Sequence, residues 1–333
     1  MRVHRPILDH VIDKCRELDP IAVAIVSPLS EVALTAAIEA ASAGLINPYL
    51  VGSRAKIVAL ARKHEFELAP YLIVDVDDEV EAAQRGVELC RLGTCQALMN
   101  GSLRPDLFLQ PIIADDTGFR LKRRMSHVFV VDTPSYPRTL IITDAAINGY
   151  PKLEEKADIV QNAIEFAQVL GIAIPKVAIL STSETVSSNV PSTIDAAALC
   201  KMADRGQITG GVLDGPLAFD DATEPDAARI KQIDSDVVGQ ADILLVPDLE
   251  SGNILIKQLQ SLAGAEAAGV VVGARVPIIL TSRAANPKTR LASTAVAALL
   301  AHDHRRAFFE VTAGFGVLLQ SKAWLSRVGS EPR

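Results

Sequence analysis

The sequence predicts an α/β fold of two domains, built on mostly parallel sheets flanked by helices. Two observations carry that class. Hydrophobic residues make up 49% of the chain but aromatics only 4%, so the core must be assembled from Ala, Val, Leu and Ile, as in parallel strands covered by Ala-rich helices. Short apolar runs also alternate with longer amphipathic ones, the rhythm of βα units. At 333 residues the chain exceeds one typical domain and is long enough for two.

The elements follow in order. Ile21–Val26 reads as a buried strand, followed by an Ala-rich helix from about Ser30 to Ala43 that Gly44 closes. Asn47–Gly52 turns into a second strand, and Ser53 is placed to cap a helix ending near His64. Tyr71–Val74 and Gln96–Met99 are strands on either side of a helix over Glu79–Leu92. The β-branched runs His127–Val131 and Thr139–Thr143 are separated by turn residues between Pro134 and Pro137. Leu153, Ala157, Val160, Ile164 and Ala167 recur at spacings of four and three, giving the apolar stripe of a long helix ended by Gly171. Strands are expected at Lys176–Leu180, Gly211–Leu213, Ile243–Val246, Val270–Val272 and Pro277–Leu280. A change of composition over Val128–Asn148 marks the start of a second domain. No linker marks its end, which suits a domain inserted within the first.

Charge and motifs exclude several functions. The formal net charge of −7 argues against a nucleic-acid partner, which demands a basic face; an anionic metabolite stays compatible. Cys15, Cys90, Cys95 and Cys200 form no C-x-x-C pair, as expected of a reduced, cytoplasmic protein. Ile21–Val26 is too short for a secretory or membrane segment. A Walker A sequence is absent, Gly314-Phe-Gly316 lacks the third glycine of a dinucleotide loop, and no G-x-S-x-G elbow occurs. His302-Asp-His304 runs directly into Arg305 and Arg306 and reads as a solvated helix end, so no metal is expected there.

Ligands of open α/β sheets gather beyond the C-terminal ends of strands. Four such loops are rich in small polar residues: Ser181-Thr182-Ser183, Asp214-Gly215 onward to Asp220, Pro247 to Gly252-Asn253, and Thr281-Ser282-Arg283. Each alone is ordinary turn and cap chemistry. Four together, one placing Thr-Ser-Arg directly after a buried strand, point to an anion site.

Five segments resemble the phosphate acetyl/butyryltransferase family, in shared order over roughly residues 20 to 300. They are Thr143–Asn148, Pro191–Asp195, Lys201–Gln207 continuing to Asp214–Phe219, Pro247–Asn253 and Pro277–Arg283. The Asp-Gly-Pro-Leu-Ala-Phe wording is more similar to the butyryl branch. The resemblance implies an architecture like that of isocitrate and isopropylmalate dehydrogenases. A first domain would span 1–130 and 268–333, an inserted one 131–267, with the active site in the cleft between them. It further implies a homodimer and a metal-independent, reversible transfer of a short acyl group between coenzyme A and phosphate, giving an acyl phosphate. No tightly bound cofactor is implied; acyl-CoA and phosphate are the substrates. Ser282 and Arg283 correspond to the catalytic pair, with Thr281, Ser181, Thr182, Asp214, Gly215, Gly252 and Asn253 as substrate-binding candidates. Two alternatives stay open: an acyl-CoA sensor of the same fold, and a hydroxy-acid dehydrogenase of similar architecture.

The chemistry needs an ionised sulfur. A thiol of pKa near 8.5 is only about 3% thiolate at pH 7, so ionising it costs roughly 2 kcal/mol. Arg283 suits a phosphate-holding role through its planar fork, each charge-assisted bond contributing about 1.5–3 kcal/mol. Ser282 suits hydrogen bonding to the developing thiolate or the carbonyl oxygen. Two departures stand out. The acetyl branch has an aspartate, proposed as base, shortly after the Ser-Arg pair, whereas here Ala284 to Thr289 contains no carboxylate and Asp214 or Asp248 must be considered. Gln110 also stands where a phosphate-binding arginine is expected, leaving Arg104 or Arg120 as substitutes.

Overall fold

The structure is a computed structural model and describes residues 7–114, 118–119, 121–281 and 285–306. Ser282, Arg283 and Arg120 lie outside the described residues.

The first half alternates as the apolar pattern demands. Helix α1 (Ile7–Arg16) precedes strand β1 (Ile21–Val26), then α2 (Glu31–Ser42), β2 (Ile46–Gly52), α3 (Arg54–Lys63), β3 (Leu72–Asp75), α4 (Glu79–Arg91), β4 (Ala97–Asn100) and α5 (Pro105–Ile113). Ser30 caps α2 by accepting the Ala33 amide at 3.2 Å, and Gly44 takes φ +75° just beyond its end. The expected cap at Ser53 is corrected: its side chain makes no capping bond, and the Asp75 carboxylate at the end of β3 accepts the Arg54 amide at 2.8 Å. A carboxylate reaching from the neighbouring strand thus satisfies the first of the orphan amides at this helix start.

The second half contains β5 (Ser126–Asp132), β6 (Leu140–Thr143), α6 (Leu153–Val169), β7 (Lys176–Leu180), α7 (Pro191–Asp204), β8 (Val212–Leu217), α8 (Phe219–Thr223), α9 (Pro225–Lys231), β9 (Ile243–Leu245), α10 (Leu249–Leu262), β10 (Glu266–Val272) and β11 (Ile278–Ile279). A last helix, α11, covers 287–306. Two strands outrun their apolar cores. β8 continues through Gly215-Pro216, which an edge strand paired only with β7 tolerates. β10 starts at Glu266 because its pairing with β5 extends from Glu266 opposite Asp132 to Val272 opposite Ser126.

The strands form one sheet in the order β3-β2-β1-β4-β11-β10-β5-β6-β9-β7-β8. β3, β2, β1, β4 and β11 are mutually parallel, and so are β6, β9, β7 and β8. Between these sets β10 is antiparallel to both β11 and β5, and β5 is antiparallel to β6. The outer sets therefore run in opposite directions, joined through the β5–β10 ribbon. Alternate strand residues feed different cores. Ile21, Val23 and Ile25 pack with α1, α2 and α11, whereas Ala24 and Val26 pack with α4 and α5. The expected stripe on α6 joins the first of these cores through Val160, Ile164 and Ala167, each fully buried.

Candidate active site

A cavity of about 550 Å³ lies on one face of the β5–β10 ribbon, where the oppositely running halves of the sheet meet. β11 delivers Leu280 and Thr281 to it, β4 delivers Asn100, and the residues after β6 and β9 deliver Ala146 and Asn253. The start of α11 closes one side with Asn286 and Thr289. Asn286 caps this helix, its Oδ1 accepting the Thr289 amide at 2.7 Å.

The segment that contains the Ser-Arg pair is tied at both ends. Arg290, one turn into α11, donates from Nη1 to Thr281 Oγ1 and from Nε to the Ala285 carbonyl, each at 3.2 Å. Burial pulls the Arg290 pKa below its ordinary value, yet a guanidinium stays charged at any working pH. A fixed cation thus positions the residues on either side of Ser282 and Arg283.

The floor is formed by His127 and Phe129 of β5, which alternation places on the same face. Their rings sit 4.2 Å apart between centroids, tilted by 49°. His127 is only 1% exposed. Burial lowers its pKa from 6.5 to about 4, opposed by the charge of Asp144 and by the Leu280 backbone, so the imidazole is neutral at pH 7. Gly269, opposite Phe129 on β10, leaves the room the rings need: a Cβ there would lie 2.6 Å from His127 Cε1 and 2.8 Å from Nε2.

Of the residues read from the sequence, Thr281 and Asn253 line this cavity. Gly252 lies beside it and serves packing, since a Cβ would come within 2.7 Å of Val246 and 2.9 Å of Ala145. Ser181, Thr182, Asp214 and Gly215 are not among the cavity's walls. Ser181 Oγ instead lies 2.8 Å from Ser192 Oγ, and Asp214 accepts the amide of Gly215 at 2.8 Å. Ser181 and Thr182 follow the end of β7, one strand beyond β9, whereas Asp214 and Gly215, expected in a loop, lie within β8, two strands beyond β9. Asp248, weighed as a base, caps α10 by accepting the Ser251 amide at 2.8 Å. Arg104, between the cavity residues Leu103 and Pro105, pairs with Asp106 at 2.8 Å with its side chain 73% exposed. Sequence reasoning missed His127, Phe129 and Gly269. The available signal was one imidazole within an otherwise apolar strand and one glycine within another.

A cleft at a reversal of strand direction, walled by small polar groups and a capped helix start, defines an α/β enzyme for a small anionic substrate. The chain matches the family model described as "Phosphate acetyl/butaryl transferase" over residues 79–298. It belongs to that family and is an acyltransferase. It is similar to the phosphate acetyltransferase of Rhizobium meliloti, with 54% identity over 299 residues that cover 90% of this chain and 95% of the relative. The phosphate butyryltransferase of Clostridium acetobutylicum is 40% identical over 288 residues, covering 86% and 95% respectively. A crystal structure of a branched-chain phosphotransacylase from Enterococcus faecalis V583 superposes with a TM-score of 0.76 at 28% identity, covering 85% of this chain and 99% of that one. Family membership sets aside the hydroxy-acid dehydrogenase alternative.

Proposed function

We propose that this enzyme transfers a short acyl group reversibly between coenzyme A and phosphate, giving an acyl phosphate, with Ser282 and Arg283 as the reacting pair. The observation that carries the reading is the cavity on the β5–β10 ribbon, into which β11 leads Thr281 immediately before that pair. Arg283 holds the phosphoryl group, and Ser282 hydrogen-bonds the charge that develops at sulfur or at the carbonyl oxygen. The start of α11 adds a favourable field for the anion. Identity is higher to the acetyltransferase than to the butyryltransferase among the two relatives described, which supports acetyl as the first acyl group, although the Asp214–Phe219 wording resembles the butyryl branch.

Several further features belong to the same reading. Residues 1–130 with 268–333 form one unit and 131–267 an inserted one; support comes from the β5–β10 ribbon, which lies at both crossings. Ser181, Thr182, Asp214 and Gly215 contact the rest of coenzyme A, supported by their place on or just beyond β7 and β8, the strands that continue the parallel set from β9. The enzyme works in the cytoplasm as a homodimer, without a tightly bound cofactor. No helix among the described residues is long and apolar enough to cross a membrane.

A thiol-release assay with acetyl-, propionyl- and butyryl-CoA, with and without phosphate, tests the function. Phosphate-dependent release with at least one of them is expected; release with none returns the acyl-CoA sensor. Wild-type single-turnover rates in both Ser282→Ala and Arg283→Ala would remove the pair from the mechanism.

A further inference from the structure

The proton of the coenzyme A thiol needs an acceptor, and the carboxylates near the cavity are already engaged. Asp144 at the end of β6 accepts from the amides of Ala146, Ile147 and Asn148 and from Asn148 Nδ2, at 2.6–3.3 Å. Asp248 caps α10, and Glu266 pairs with Lys288 at 2.6 Å.

His127 is different. Among the described residues neither ring nitrogen has a hydrogen-bond partner, although the side chain is buried in the cavity floor. The hydroxyls around it are committed elsewhere. Ser293 Oγ accepts the Gly269 amide at 3.0 Å and donates to the Thr289 carbonyl at 2.8 Å, and Thr143 Oγ1 donates to the backbone carbonyl of His127 at 2.9 Å. An orphaned buried polar group costs about 1–3 kcal/mol and is rare in native proteins. One in the floor of a cavity therefore points to a ligand that completes it. Leu280 supplies the nearby backbone that favours a proton on the ring. A neutral imidazole carries its proton on one ring nitrogen and keeps a lone pair on the other.

We infer that His127 is a catalytic residue of acyl transfer, accepting the thiol proton through its free ring nitrogen and delivering it to the departing phosphate. The inference rests on the acyl-transfer reading above. The S–H bond breaks as the N–H bond forms, and the sulfur electron pair makes the C–S bond to the carbonyl carbon of the acyl phosphate. The tetrahedral adduct collapses with cleavage of the C–O bond, whose electron pair stays on the phosphate oxygen. The imidazolium returns its proton to that oxygen, so thioester and hydrogen phosphate leave with His127 unchanged. The basicity of the buried ring is low. A bound phosphoryl dianion raises it by favouring the charged form, and Asp144 acts in the same direction. Glu266 on β10, Lys257 on α10 and Arg290 on α11 are the other charged groups nearby.

His127→Asn and His127→Gln keep a polar amide of similar reach but provide no base. Both are expected to lose at least about 10²-fold in kcat, with KM for coenzyme A and acetyl phosphate changed less than about threefold. Their residual rate should climb with pH towards the thiol pKa near 8.5, more steeply than the wild-type rate. Turnover within about threefold of wild type in either folded variant overturns the assignment, as does a loss confined to KM. Should both fail to fold by circular dichroism, ¹⁵N-imidazole spectra of the wild type titrated with inorganic phosphate decide. A shift of the His127 resonances towards imidazolium supports the role, and unchanged resonances overturn it. An inactive wild type instead sinks the acyl-transfer reading, so the two failures are distinguishable.

Discussion

Gly269→Ala tests the close approach on which the cavity floor depends. The added Cβ would lie 2.6 Å from His127 Cε1, 2.8 Å from Nε2 and 3.0 Å from Phe129 Cε1. Carbon contacts are comfortable only at about 3.5–4.0 Å, so a ring must retreat by about 1 Å. The glycine backbone has little freedom to yield, because β10 is paired with β5 on one side and β11 on the other, and its amide is held by Ser293 Oγ at 3.0 Å. Overpacking of this kind costs about 1–3 kcal/mol of stability. A reacting group displaced by 1 Å forfeits on the order of 10²-fold in rate. Urea denaturation and steady-state phosphate-dependent thiol release read the two effects separately. Val270→Ala is the control: Val270 is fully buried in the core on the other face of the same strand, so this variant should lose stability while its turnover changes little. Wild-type turnover together with an unshifted urea midpoint in Gly269→Ala refutes the reasoning.

Arg290→Ala, which releases both ends of the segment around Ser282 and Arg283, should lower kcat by roughly 10-fold or more; Arg290→Lys should recover little, because a single ammonium cannot reproduce the fork. Steady-state kinetics decide, and a fully active Arg290→Ala removes the clamp from the argument. Lys156 and Asp195 pair at 2.7 Å with the lysine side chain only 7% exposed, so Lys156→Ala should cost about 3–5 kcal/mol in urea, whereas Lys156→Met with Asp195→Leu should cost much less. The native form of His127 resists protonation, its pKa lying near 4 against 6.5 in the unfolded chain. The unfolded state therefore binds more protons between these values, and a contribution of about 3 kcal/mol that is present above pH 6.5 is lost as pH falls towards 4. The drop in urea midpoint from pH 7.5 to 4.5 should be smaller in His127→Asn; an equal drop refutes the link. Burial pushes the thiols of Cys15, Cys95 and Cys200 up to about 12, so the native enzyme at pH 8 should resist iodoacetamide at all three, read by mass spectrometry.

Local pattern made most of the fold legible. β1 and β7 have the bounds their apolar runs define, and the cap at Ser30 and the stop at Gly44 follow from residue type alone. The antiparallel ribbon was not legible, because pairing of residues 126–132 with 266–272 depends on a partner more than a hundred positions away. The site was half legible for the same reason. Polar loops after strands led to Thr281 and Asn253, but equally to Asp248, whose carboxylate caps a helix, and to Ser181, whose hydroxyl lies against that of Ser192. Ser, Thr and Asp serve turns and ligands with the same atoms, so composition alone does not separate the uses. His127 was hidden by the opposite circumstance, an apolar setting that reads as core.

The β5–β10 ribbon also fixes the order in which the chain can become native. It spans the intervening residues 133–265 like a clasp, so its seven register pairs form only after both ends of that long stretch have met. Closing a loop of this size spends chain entropy before any pairing compensates for it. Long-range pairing of this kind makes folding slow. The cavity floor, being drawn from the two clasped strands, therefore cannot exist in a partly folded chain. Acyl-transfer competence should appear no earlier than this closure, whatever helix has formed before it.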